Sequence, residues 1–193
     1  NDVVDRDIDG EVARTATRPI AAGLVSVREG WALLVGLSLV GLAVLLQLGF
    51  PAIWLGLISL ALVAAYPFMK RITYWPQAWL GLTFNWGALV GWAAADHALA
   101  LPALLLYLGG IAWTLGYDTI YAHQDKEDDL LIGVKSAALK LGVWTRPALV
   151  AFFLTALALW TAAGWLAGLH AAYLVGVGAV ALHFGWQILT LDT

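Results

Sequence analysis

Long stretches without a charged side chain constrain this sequence more than any other feature. Residues 30–69, 72–95, 97–117 and 147–191 contain no Asp, Glu, Lys or Arg, and the mean hydropathy of the chain is +0.82. A membrane-spanning helix needs about 20 mostly apolar residues. A soluble protein would instead show polar faces alternating with apolar ones along its helices or strands. The sequence therefore predicts an all-α bundle of several membrane-spanning helices.

These stretches have room for six complete spans in a single domain over residues 1–193. The turn-like segment 48–51 divides the first stretch into two spans, and the last stretch is also long enough for two. The predicted spans are 30–48, 52–69, 77–95, 101–122, 146–165 and 170–190. The pattern also indicates the end of a helix over 1–9 and a short amphipathic helix over 130–141.

The two ends of the chain indicate a fragment of a longer protein. It begins at Asn1 without an initiator Met, and it stops directly after the apolar run that ends at Leu191. We therefore expect the complete protein to contain residues before this chain, and we interpret its other end in the same way.

The Lys and Arg residues mark one side of the predicted bundle. All ten lie before the first span, after the second or after the fourth, whereas the connections near 49–51, 96–100 and 165–170 have none. This alternation is the pattern of the positive-inside rule, so the basic connections are predicted to face the cytoplasm or a mitochondrial matrix. The Ala-, Leu- and Trp-rich composition leads us to expect a bacterial inner membrane rather than a mitochondrial one.

Ten of the thirteen acidic residues lie in two short windows, 1–11 and 118–129. Both windows fall at the predicted cytoplasmic end of a helix, so they can face each other across one cavity. Helical spacing aligns their polar side chains along one face of each helix. The aligned residues are Asn1, Asp5 and Asp9 in the first window and Asp118, Tyr121, Asp125 and Asp129 in the second. Because like charges at this spacing repel each other, the pattern predicts bound cations.

The residue types in these windows indicate which cation would bind. Carboxylate and amide oxygens favour Mg²⁺ or Ca²⁺ over zinc. Mg²⁺ typically binds through a few carboxylates together with water and substrate phosphates, so two facing windows favour Mg²⁺ with a diphosphate between them. The alternative is that these acids are solvated loop residues. The helical phase of both windows argues against that alternative.

Cations next to the windows also fit a diphosphate. Arg14 and Arg18 follow the first window, and Lys70 and Arg71 close the second span. Arg binds phosphate through two parallel hydrogen bonds and Lys supplies a point charge. The ordinary positive-inside role is the alternative for each of them. Tyr66 lies four residues before Lys70 and would share its face, with an interfacial aromatic position as the equally good alternative.

Four motifs occur in order along the chain. They read NDVVDRDID at 1–9, RTATRPI at 14–20, YPFMKR at 66–71, and DTIYAHQDKEDD at 118–129 followed by IGVKS at 132–136. These motifs resemble the NDxxDxxxD, RTxxRP, YPFMKR and second acidic signatures of the UbiA prenyltransferase superfamily. The resemblance covers essentially the whole chain. It implies a bundle of nine spanning helices, of which this chain would contain the end of the second through the eighth.

The residues of these motifs are most similar to those of the 4-hydroxybenzoate polyprenyltransferase branch of that family, which serves ubiquinone synthesis. This resemblance implies Mg²⁺ as cofactor, and polyprenyl diphosphate and 4-hydroxybenzoate as substrates. The polyprenyl group would be transferred to the ring carbon ortho to the hydroxyl. The lipid bilayer would be the other partner, while the few, membrane-proximal basic residues argue against nucleic-acid binding.

The resemblance also implies roles for individual residues. Asp5 and Asp9, assisted by Asn1, would hold one Mg²⁺, and Asp125 and Asp129 would hold the second; these four aspartates are the predicted catalytic residues. Arg14, Arg18 and Lys70 would contact the diphosphate. The other predicted substrate-binding residues are Asn1, Tyr66, Arg71, Asp118 and Tyr121. Asp2, Asp118 and Asp128 would support the metal sites.

The sequence determines the aromatic acceptor less well than it determines the polyprenyl diphosphate. Arg71 is our hypothesis for the residue that binds the acceptor carboxylate, because it is the extra cation beside Lys70. Other acceptors of the family, namely haem, homogentisate or a naphthoate, remain alternatives. A membrane cation transporter is the alternative from another class, but it would place ionisable groups near the bilayer midplane, whereas these acids lie at the ends of the apolar runs.

Overall fold

The computed structural model describes residues 2–96 and 98–191. These residues are mostly helical, and the longest stretch between two helices is 12–26. The α-helices are α1 (Asp2–Glu11), α2 (Val27–Leu45), α3 (Phe50–Ala65), α4 (Met69–Ile72), α5 (Pro76–Phe84), α6 (Gly87–Asp96), α7 (Leu101–Ala122), α8 (Lys126–Ile132), α9 (Ala137–Leu141), α10 (Thr145–Leu166) and α11 (Ala171–Thr190). Short 3₁₀ turns join α3 to α4, α7 to α8 and α9 to α10. The predicted all-α fold is confirmed.

Five helical segments of the described residues are long and apolar enough to cross a membrane. They are Val27–Leu45, Phe50–Ile72, Leu101–Ile132, Ala137–Leu166 and Ala171–Thr190. Large apolar side chains such as Leu37, Leu60 and Leu182 are exposed on them. Lipid is as apolar as these side chains, so the exposure fits an integral membrane protein.

The predicted span 77–95 is not one continuous helix. It consists of α5 and α6, which are separated by a turn at Asn85 and Trp86. The Asn85 side-chain amide donates to the Gly81 carbonyl at 2.9 Å and to Thr114 Oγ1 at 2.8 Å. An Asn side chain that bonds nearby backbone competes with the helix, and here it satisfies a carbonyl inside the apolar layer. The prediction was wrong because hydropathy does not register a single polar residue of this kind.

Close packing of α7 against α10 forms the centre of the bundle. Small residues on α7 allow this approach: the Phe153 ring lies where a side chain on Gly116 would stand, and the Trp160 ring does the same at Gly109. Small residues commonly occupy helix interfaces in membranes for this reason. In contrast, α2 has no buried side chain. The second acidic window, 118–129, thus begins near the end of α7, which is the most tightly packed helix of the described residues.

The predicted amphipathic helix over 130–141 is also interrupted. It corresponds to the end of α8 and to α9, with residues 133–136 between them. Gly133 ends α8 in the left-handed region, with φ of 73°. That conformation is easily adopted by glycine and is a common way to end a helix, so one glycine accounts for the difference.

Candidate active site

Both acidic windows line one cavity of about 190 Å³. It is lined by α1 and the turn after it, by the 3₁₀ turn after α3 with α4 and the start of α5, by the end of α7, and by α8 with residues 133–136. The predicted site residues that line it are Asp5, Asp9, Arg14, Arg18, Tyr66, Lys70, Asp118, Tyr121, Asp125 and Asp129. The structure thus brings together residues that are more than 100 positions apart in the sequence.

Asp5 is fully buried and is held between two cations. Lys70 Nζ lies 2.9 Å from its Oδ2, and Arg71 Nη2 donates to its Oδ1 at 3.0 Å. Arg71 also donates to the Val4 carbonyl at 3.1 Å, which fastens α1 to α4. Burying a carboxylate is costly unless it is paired, and these two cations offset that cost.

Asp9 is the second buried carboxylate of the first window, and its partner is Arg18. The distance from Arg18 Nη1 to Asp9 Oδ2 is 2.9 Å, and the same nitrogen lies 3.4 Å from Asp2 Oδ1. The Thr15 hydroxyl donates to the Asp9 carbonyl at 2.9 Å. These contacts fold the RTATRP turn back over α1, which carries its cations to the cavity.

Arg14 connects the first window to the second. Its Nε donates to Asp125 Oδ1 at 2.8 Å, its Nη2 pairs with Asp125 Oδ2, and its Nη1 donates to the Tyr121 hydroxyl at 2.9 Å. The guanidinium also lies over the Tyr121 ring, 5.4 Å from its centroid. The hydrogen bond to Asp125 raises the pKa of Arg14 above its ordinary value. Arg14 therefore stays charged where the two windows meet.

Some predicted residues lie elsewhere. Arg71 contacts Asp5 but is not among the residues that line the cavity, and Asp2 and Asp128 do not line it either. Asn1 lies outside the described residues. The hypothesis that Arg71 binds the acceptor carboxylate thus stays a prediction, while its observed contacts are with α1.

Sequence reasoning gave no role to several polar lining residues, among them Gln77 and Ser136. Gln77 and Ser136 both line the cavity and are 4% and 3% exposed. Gln77 Oε1 accepts a hydrogen bond from the Ala137 backbone N–H at 3.2 Å. Ser136 falls inside the last motif but was given no role, and Gln77 belongs to none of the motifs. A lone Gln beside Pro76 at the start of an apolar stretch was the signal available for it.

Comparison with known proteins identifies the family. The model of the UbiA prenyltransferase family matches residues 1–193. The chain belongs to the UbiA prenyltransferase family. A solved structure described as the apo structure of a UbiA homolog from Aeropyrum pernix K1 superposes with a TM-score of 0.84 at 30% identity, covering 97% of this chain and 72% of that one.

Curated relatives carry one shared name. The human protein named 4-hydroxybenzoate polyprenyltransferase, mitochondrial, is 51% identical over 196 residues, which is all of this chain and 52% of that protein. The Arabidopsis thaliana protein of the same name is 49% identical over 193 residues, again over all of this chain and over 47% of its own length. This chain thus spans about half the length of the curated relatives that it matches.

The UbiA cavity offers ligands suited to Mg²⁺. Its acidic lining consists of carboxylates, whose oxygens are typical ligands of Mg²⁺. No three His, Cys, Asp or Glu side chains converge on one point within the described ranges. Mg²⁺ does not require such a cage, because it usually binds one or two carboxylates together with water and substrate phosphates. Asp5, Asp9, Asp125 and Asp129 are the residues that would hold it.

Proposed function

We propose that the protein containing this chain transfers a polyprenyl group from polyprenyl diphosphate to the ring carbon ortho to the hydroxyl of 4-hydroxybenzoate. The reaction would depend on Mg²⁺ and would be a step of ubiquinone synthesis. The observation that carries this proposal is the meeting of two acidic windows, each with paired cations, in one cavity at the end of apolar spans. The shared name of relatives about 50% identical supports the choice of acceptor.

The cations of the cavity suit a departing diphosphate. Negative charge develops on the diphosphate as its bond to the allylic carbon breaks, and preorganised donors stabilise that charge. Arg14, Arg18 and Lys70 line the cavity and are already oriented there by carboxylates. Bound Mg²⁺ would neutralise further charge on the same group.

Apolar residues of the cavity suit the other product of that bond cleavage. Ile8, Val12, Ile132 and Val134 line it together with the charged groups. Exclusion of water protects a reactive allylic cation from hydrolysis until the aromatic ring attacks it. The long prenyl chain would lie along the apolar faces of the spans and extend into lipid.

The membrane that holds the protein is a further proposal. The cavity-lining cations, namely Arg14, Arg18, Lys70 and Lys135, share one end of the bundle, which the positive-inside rule assigns to the cytoplasm or matrix. Curated relatives are named mitochondrial, so they lend no support to our preference for a bacterial inner membrane.

One assay tests the function. The full-length protein in membranes is supplied with 4-hydroxybenzoate, a polyprenyl diphosphate and Mg²⁺, with and without EDTA. We expect a prenylated hydroxybenzoate by mass spectrometry, lost with EDTA and in Asp5→Ala. Release of diphosphate without this product would replace the acceptor by haem, homogentisate or a naphthoate. A folded protein that releases no diphosphate would contradict the prenyltransferase proposal and favour the transporter.

A further inference from the structure

Residues 133–136, between α8 and α9, form one wall of the cavity. Val134, Lys135 and Ser136 line it. The Val134 N–H donates to the Asp129 carbonyl at 3.0 Å, and the Lys135 N–H donates to the Lys70 carbonyl at 2.9 Å. This segment therefore connects α8, which contains Asp129, to α4, which contains Lys70.

The start of α9 depends on a side chain from a distant helix. The first N–H groups of a helix lack partners within it, and an N-cap Ser usually accepts one of them. Ser136 holds the N-cap position of α9, yet its side chain makes no capping hydrogen bond. Gln77 Oε1, in the first turn of α5, accepts the Ala137 N–H at 3.2 Å instead. Both Gln77 and Ala137 are buried, so no solvent would replace this bond.

Because Gln77 accepts this N–H, the Ser136 hydroxyl is available for another partner. That hydroxyl is buried and completes no hydrogen bond with a described residue. Ser136 lines the same cavity as Asp129, and the Asp129 carbonyl accepts the N–H of Val134, two residues before Ser136. A buried hydroxyl without a partner is costly, and a nearby carboxylate is the acceptor that would satisfy it.

We propose that Gln77 is a positioning residue for Asp129. By accepting the Ala137 N–H it fixes residues 133–136 against α5 and directs the Ser136 hydroxyl at the Asp129 carboxylate. The inference rests on the proposed function, in which Asp129 is a metal ligand. Residues that orient metal ligands often change metal affinity when they are replaced.

The test measures metal binding as well as turnover. The full-length protein is titrated with Mn²⁺ in the presence of inorganic pyrophosphate, and bound Mn²⁺ is measured by electron paramagnetic resonance. Gln77→Met keeps the side-chain length but loses the acceptor, so we expect the half-saturating Mn²⁺ concentration to rise about three- to tenfold, the range for one hydrogen bond. Gln77→Glu keeps an acceptor and should restore wild-type binding.

A matched control separates the positioning effect from a general one. Gln47→Met makes the same change at an exposed position on the α2–α3 connection, where the Gln47 side-chain amide donates to the nearby Ala43 carbonyl, and it should leave the Mn²⁺ titration unchanged. If Gln77→Met proves too unstable to purify, Ser136→Ala removes the hydroxyl itself and should weaken Mn²⁺ binding in the same direction.

The outcomes distinguish this inference from the proposed function. Wild-type protein that binds Mn²⁺ but forms no prenylated product would contradict the function and leave the titration valid. Gln77→Met, or Ser136→Ala in its place, with wild-type Mn²⁺ binding would overturn the positioning role. A wild-type protein that binds no Mn²⁺ would overturn it as well. In the prenylation assay, Gln77→Met should raise the Mg²⁺ requirement without changing the KM for 4-hydroxybenzoate.

Discussion

The two acidic windows are held in place in different ways. In the first, Asp5 and Asp9 are buried and each is held by cations from outside α1, namely Lys70, Arg71 and Arg18. The second window extends from α7, whose packing against α10 fixes its start, while residues 133–136 and the start of α9, which follow α8, are held by hydrogen bonds to α4 and α5. Charge pairing thus holds both buried carboxylates of the first half, whereas in the second half helix packing and backbone hydrogen bonds act alongside the Arg14–Asp125 pair.

The two halves of the cavity should therefore tolerate different substitutions. Removing one partner of a buried ion pair strongly destabilises the fold, because the other charge is left buried without compensation. A packed helix pair responds to volume and is insensitive to distant charges.

Asp5→Asn should have the largest effect. It removes the charge between Lys70 and Arg71 and a proposed metal ligand, so we expect prenylation to fall at least about 100-fold, as for loss of one electrostatic element of an active site. Asp128→Asn removes an acid that does not line the cavity and should keep most of the activity. Equal losses in both variants, measured by product formation in membranes, would contradict the distinction between them.

Gly116→Val should act on the second half through packing. The added side chain would overlap the Phe153 ring, and overpacking of this kind typically costs about 1–3 kcal/mol. Gly36→Val, on α2, meets no neighbouring atom and should leave the melting temperature of the detergent-solubilised protein unchanged. A stable Gly116→Val protein would show that the α7–α10 contact can adjust, and would weaken the contrast between the windows.

Arg71→Ala decides between two roles for this side chain. The observed bonds to Asp5 and to the Val4 carbonyl predict a Mg²⁺ requirement raised about tenfold with an unchanged KM for 4-hydroxybenzoate. Binding of the acceptor carboxylate predicts the reverse. Varying Mg²⁺ and 4-hydroxybenzoate independently separates the two results, and an unchanged value for both would remove Arg71 from the site.

Charge distribution made much of this molecule predictable. The charge-free stretches predicted all five described segments that are long and apolar enough to cross a membrane. The helical spacing of the acids predicted two windows, which the fold brings to one cavity. The break in the predicted span 77–95 escaped this reasoning, because Asn85 acts through Thr114 on another helix. Gln77 escaped it for a similar reason, since its partner Ala137 lies 60 residues away and is a backbone group. Almost every residue has the same backbone N–H and C=O groups, so a hydrogen bond from a side chain to the backbone does not require a particular partner residue type. The sequence therefore gives no pattern from which such a bond could be predicted.

Arg14→Lys should have the smallest effect and tests the contact between the two windows. Lys keeps the charge, but it loses the paired hydrogen bonds to Asp125 and the contact with the Tyr121 hydroxyl. We expect kcat/KM for the polyprenyl diphosphate to fall only about threefold, because the pair is part-exposed and Lys keeps the charge and one donor for Asp125. Arg6→Lys on α1 is the matched control, because among the described residues Arg6 pairs only with its exposed neighbour Asp7. If Arg14→Lys matches that control, charge alone suffices where the windows meet; a loss as large as that of Asp5→Asn would make this contact as important as the buried pairs.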